Sequence, residues 1–224
     1  MASFLDFIKV LTVTFITLFP VVNPIGDAPI FLSLTHRYSE AVQKILARKI
    51  AAYGFVILVV SLLVGSEILA ALGVKLYVVQ LAGGLVVATT GWSLLNQKDD
   101  DSDESEPATL EDALEHAFFP LTLPLTVGPG CISIAITLGA HLRHHAGPGF
   151  DHGYPLRFLA SLVGMALMCV VIYFCYGNAE RLVRVLGKSG TNIVMRLSAF
   201  ILVVVGVQIM WNGLSTGVQQ LFPR

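Results

Sequence analysis

The sequence predicts an all-α integral membrane protein, with six transmembrane helices as two inverted three-helix repeats and broken first and fourth helices. Three observations predict it. The chain is 55% hydrophobic and only 13% charged, about half the charged fraction of a soluble domain. Its few charges leave six runs free of Asp, Glu, Lys and Arg. Two proline-bearing stretches recur at corresponding places in the two halves of the chain.

The six runs are Val10–Gly26, Ile50–Ser66, Leu76–Gln97, Ala117–Ala140, Phe158–Ala179 and Leu197–Pro223. A spanning helix needs about 20 apolar residues, in a range of roughly 17–25, and each run meets or slightly exceeds that. A buried soluble helix would account for one such run but not for six in 224 residues. The first run reads as a span and not as a cleaved signal, because Met1–Asp6 carries no basic region and no small-residue cleavage site follows. Cys131, Cys169 and Cys175 lie inside runs and read as small core residues. They form neither a disulfide framework nor a zinc pattern. No basic or aromatic-interleaved patch points to nucleic acid. The partner that composition implies is the lipid bilayer.

The division this suggests is a first repeat over residues 1–96, an acidic linker over 97–116 and a second repeat over 117–224. The linker run Asp99–Glu106, continuing to Glu115, has like charge without periodicity and reads as a solvated loop. Lys and Arg favour cytoplasmic loops. With the N-terminus outside, the inner loops hold nine (Arg37, Lys44, Arg48, Lys49, Lys98, Arg181, Arg184, Lys188, Arg196) and the outer segments five (Lys9, Lys75, Arg143, Arg157, Arg224). Both termini are therefore expected outside.

The repeat shows at an offset of 100 residues: Phe19-Pro20 matches Phe119-Pro120, Pro24 matches Pro124, Pro29 matches Pro129 and Ser33 matches Ser133. Leu72-Gly73 with Leu186-Gly187 adds a weaker match at a shifted offset. Three spans per half is an odd number, so the second half enters from the opposite face, as in many transporters built from inverted repeats. Each proline lacks an N–H and clashes with the preceding turn, so the stretches Asn23–Pro29 and Pro124–Gly130 are expected to break their helices. Irregular backbone at membrane depth survives only inside protein or beside a water-filled cavity. The two breaks should therefore face each other centrally. Length agrees: Leu5–Thr35 would be about 46 Å as a straight helix, against a hydrocarbon core of about 30 Å.

The stretch from Phe19 to Thr35, FPVVNPIGDAPIFLSLT, and the stretch from Pro120 to Ser133, PLTLPLTVGPGCIS, resemble the two signatures of the MarC family, also described as the neutral amino acid transporter type. The resemblance covers almost the whole chain. It implies an inner-membrane, six-helix secondary transporter related to the lysine-exporter superfamily, with small neutral amino acids such as glycine or alanine as substrates. At position 27 the family pattern carries Asn where this chain has Asp27. An acid there adds charge and a place for a coupling proton.

A zwitterionic amino acid needs acceptors for its ammonium and donors for its carboxylate. Asp27, the Asn23 side chain and carbonyls freed by Pro24, Pro29 and Pro129 supply acceptors. Half-helices beginning near the breaks supply N–H donors and a positive dipole end, expected at Ile30–Phe31 and Cys131–Ser133. Gly26, Gly128 and Gly130 allow close backbone approach. Thr126 and Ser133 either bond the ligand or satisfy backbone carbonyls. These residues form the candidate substrate site, and an intramembrane acid is its natural centre.

No nucleophile–base set or phosphate loop appears, so no enzyme activity is expected. No resident cofactor or metal is expected; H+ or Na+ remains open as a coupling ion. His141, Arg143, His144, His145, Asp151 and His152 cluster in one loop, where the surrounding Gly and Pro favour a plain loop over a metal site. Two other readings stay open: an inorganic ion transporter or channel centred on Asp27, and a non-transporting scaffold. A homo-oligomer is compatible with each.

Overall fold

The computed structural model of the chain describes residues 2–96, 110–144 and 154–221. In order the helices are α1 (Ala2–Val22), α2 (Pro24–Thr35), α3 (Glu40–Ala71), α4 (Leu76–Leu95), α5 (Leu110–Phe118), α6 (Pro129–His144), α7 (Tyr154–Gly177) and α8 (Ala179–Leu221). A π-helical segment, Leu121–Thr126, lies between α5 and α6. Among the described residues there is no strand.

Among the described residues five helices are long and apolar enough to cross a membrane: Phe4–Val22, Glu40–Ala71, Leu76–Leu95, Tyr154–Gly177 and Ser189–Gln220. The fourth predicted run falls short of this. It is shared among the end of α5, the π segment and α6, whose apolar part is the shorter Pro129–Leu142. The reason is Pro120 and Pro124, which leave Leu123 extended (φ −111, ψ 126) inside the π segment. The lipid-facing character is direct. Ile16, Val60, Leu85, Phe174 and Phe200 are all at least half exposed on these apolar helices, as residues facing lipid would be.

Part of the stretch read as a solvated linker is ordered. Leu110–Phe118 forms α5, which packs on α3 and buries Ala113 and Ala117. Its Asp112 pairs with Arg37 at 3.2 Å and accepts from the Tyr38 hydroxyl at 2.9 Å. The acidic run 99–106 lies outside the described residues.

α4 and α8 pack antiparallel at close range because glycine lets backbone meet backbone. A Cβ on Gly84 would sit 2.6 Å from both Gly206 O and Met210 N, and one on Gly206 would sit 2.7 Å from Gly84 O and 2.4 Å from Ala88 N. The next turns repeat this: Gly91 faces Ala199 O and Val203 N, and Gly213 faces Tyr77 O and Leu81 N. Each contact becomes its counterpart when α4 and α8 are exchanged at a constant shift of 122 residues. A looser correspondence, at a shift of 114 residues, pairs the turn before α4 with a kink inside α8. Gly73 and Gly187 both adopt positive φ, 68° and 64°, a conformation only glycine enters freely. Gly187 interrupts the helical run of α8.

Candidate functional site

The first break is a single residue. Asn23 sits in the left-handed region (φ 48, ψ 47), ends α1, and is followed at once by Pro24 as the first residue of α2. Proline suits that position, since its missing N–H would have no partner there. Two backbone bonds tie the break together, Asn23 N–H to Phe19 O and Asp27 N–H to Asn23 O, each 2.9 Å. Pro29 does not break the chain, contrary to the expectation that both prolines would. It lies buried within α2, where it removes only one intrahelical bond, that to the carbonyl of Ile25. Ile30 and Phe31 are thus inside α2 and not at a free helix start.

The second break is wide. The turn at Phe119–Pro120, the π segment and Val127–Gly128 separate α5 from α6, which begins at Pro129. The helix after each break therefore opens on Pro24 in one half and Pro129 in the other, so the matched prolines at offset 100 do not play matching structural roles. Near the start of α6, Cys131 and Ile132 N–H reach back to Gly128 O.

The two breaks line one cavity of about 440 Å³, within the ~300–1,000 Å³ of small-molecule sites. Of the ten candidate residues, Asp27, Gly128, Pro129 and Gly130 form its wall. Pro124, Leu125 and Cys131 join them from the second stretch, Val21 and Leu34 from the first, and Val86, Val87, Thr90 and Leu94 from one face of α4. Among the described residues Asp27 is the one charged side chain in this wall. It is 5% exposed, accepts from Asn23 Nδ2 at 3.2 Å, and has no ion pair among the described residues.

The remaining candidates support the wall from behind. Asn23 orients Asp27, and Pro24 and Pro29 are buried in α2. Gly26 is held against neighbours: a Cβ there would lie 2.4 Å from Asn23 Nδ2 and 2.6 Å from Ser198 Cβ. Gly130 is equally confined, with Val87 Cγ2 2.0 Å from its would-be Cβ. Ser133 donates to Val79 O at 3.2 Å, against Gly83, so it is a packing residue. Thr126 donates to Leu121 O at 2.7 Å. Its one proton being used, it accepts from the Tyr176 hydroxyl 3.0 Å away. Tyr176 also stacks on Phe31, ring centroids 4.7 Å apart. This α7 tyrosine therefore clamps α2 to the π segment. Sequence reasoning missed it, because a lone tyrosine in an apolar run carries no motif. The α4 wall was legible in principle as a small and β-branched stripe at helical spacing.

Among the described residues no three His, Cys, Asp or Glu side chains gather as a metal set. Of the histidine-rich loop, His145, Asp151 and His152 lie outside the described residues.

The sequence model of MarC family integral membrane proteins matches residues 8–218. The chain belongs to the MarC family. It is 32% identical over 203 residues to the membrane protein YvbG of Bacillus subtilis (strain 168), covering 89% of this chain and 92% of that protein. It is 30% identical over 215 residues to the inner membrane protein MarC of Salmonella typhimurium (strain LT2), covering 93% and 96%. No solved structure matches. Within this MarC family chain, both proline stretches fall inside the matched region, so the cavity they line is built from the part shared with the family.

Proposed function

We propose that this protein is a secondary transporter of small neutral amino acids in the bacterial inner membrane, binding its substrate between the two helix breaks. The observation that carries the reading is the cavity joining both breaks around a single buried carboxylate. Asp27 takes the ammonium, and the α6 N-terminus offers the Gly130 N–H and the positive dipole end to the carboxylate, the Cys131 and Ile132 N–H groups being bonded to Gly128 O. The aliphatic walls from Val86, Val87 and Leu202 suit a small neutral side chain.

Depth supports the reading. Asn23 stands midway along the chain between Lys9 and Arg37, fourteen residues from each, or about 21 Å of helix either way. The constant-shift exchange of α4 with α8 and the paired turns at Gly73 and Gly187 support two inverted three-helix halves. The Lys/Arg distribution supports both termini outside. Asp27 is also where a coupling H+ or Na+ would bind, and the same isolated carboxylate favours the alternative of an inorganic cation path.

Proteoliposome flux separates these. Uptake of labelled glycine and alanine above that of protein-free liposomes supports the amino acid reading. Cation flux without amino acid uptake replaces it with the ion path.

A further inference from the structure

A second cavity lies in series with the first. The Asp27 cavity reaches Val21 on α1 and Cys131 on α6. The second, of about 490 Å³, begins at Thr14 on α1 and Leu138 on α6 and widens toward Asp6, Lys9, His141 and Arg157. The gap is seven residues on each helix, about 10 Å of rise. Within it Leu18, Ile134 and Ala135 are buried, so packed side chains plug the space between the cavities. Thr14 stands at the inner end of the second cavity. It is fully buried, and its hydroxyl has no hydrogen-bond partner among the described residues.

We propose that the second cavity is an outer vestibule site for the same small zwitterion, occupied before or after the Asp27 site. The inference rests on the transporter reading above. A zwitterion needs groups of both charges, and this cavity carries them on apolar walls: Asp6 for an ammonium and Lys9 for a carboxylate. Thr14, at the inner end of this cavity, adds a buried hydroxyl without a hydrogen-bond partner among the described residues. A cavity built for a simple anion would not place a carboxylate beside its cations. The plug at Leu18 and Ala135 then separates two binding positions in series. The headgroup of phosphatidylethanolamine carries the same ammonium and oxyanion, so lipid is the competing occupant.

The test is equilibrium binding of labelled alanine to the full-length protein in phosphatidylcholine nanodiscs. Wild type should bind two equivalents per chain. Lys9→Gln combined with Thr14→Val should leave one, while Asp27→Asn should weaken the other. Thr14→Ser keeps the hydroxyl and should keep both, which controls for folding. One wild-type equivalent, weakened by Asp27→Asn and untouched by Lys9→Gln with Thr14→Val, overturns the vestibule and leaves the transporter reading standing. No saturable binding at all overturns the transporter reading and the vestibule with it. Loss of the Lys9-dependent equivalent when phosphatidylethanolamine is added overturns the substrate assignment in favour of lipid.

Discussion

Asn23 and Asp27 hold each other across the first turn of α2: Asn23 Nδ2 donates to Asp27 Oδ1 at 3.2 Å, and Asp27 N–H donates to Asn23 O at 2.9 Å. One residue thus makes the break and orients the carboxylate. Asn is among the few non-glycine residues that tolerate its left-handed backbone. Asn23→Gly keeps the backbone and deletes the donor, whereas Asn23→Ala loses both. Asn23→Ala should therefore unfold at lower denaturant than Asn23→Gly by about 1–2 kcal/mol, with both weakening alanine binding. Equal stability of the two variants contradicts this account of the break.

The glycines on the two long-packed faces should differ sharply from free ones. Gly84→Ala drives a methyl into the backbone of α8, 2.6 Å from Gly206 O, and backbone cannot rotate away. It should cost about 1–3 kcal/mol, as overpacking does. Gly177→Ala meets nothing within 4 Å and should stay within about 0.5 kcal/mol of wild type. Thermal unfolding in detergent distinguishes them.

Much of this was legible in the sequence, and the losses have physical causes. Charge-free runs marked the five long apolar helices among the described residues because desolvating a charge in lipid is costly, while the fourth run is broken by its prolines. The proline spacing marked both breaks. It could not say which proline opens a helix, since Pro24 and Pro29 carry the same local constraint and only packing decides. Hence Pro29 was expected to break the chain and instead lies inside α2. Sequence left Ser133 and Thr126 open between bonding the ligand and satisfying backbone carbonyls; Ser133 donates to Val79 O and Thr126 to Leu121 O, with Thr126 also bonded to Tyr176. Residues 110–116 read as solvated because one small residue, Ala113, among Glu111, Asp112 and Glu115 is too little to signal a packed helix.

Tyr176 should act through its hydroxyl on the π segment and through its ring on α2. Tyr176→Phe removes the bond to Thr126 and keeps the stack on Phe31, costing about 0.5–1.5 kcal/mol. Tyr176→Ala removes both and should cost about 3–5 kcal/mol. Guanidinium unfolding monitored by circular dichroism checks the order. A Phe variant as unstable as the Ala variant would contradict the division.

The expected orientation is open to thiol labelling in a background lacking Cys131, Cys169 and Cys175. Ala2→Cys should react with an impermeant reagent in intact cells and Ser102→Cys should not. The opposite pattern reverses the topology.

The central claim is that Asp27 holds the substrate ammonium in the cavity between the breaks. Saturation binding of labelled alanine to wild type and Asp27→Asn tests it most directly. The change keeps the shape and one acceptor but removes the charge, a loss of about 1.5–3 kcal/mol for a charge-assisted bond. Affinity at that site should fall about 10- to 150-fold. Unchanged affinity, with unchanged pH dependence of uptake in proteoliposomes, would contradict the claim and remove Asp27 from the mechanism.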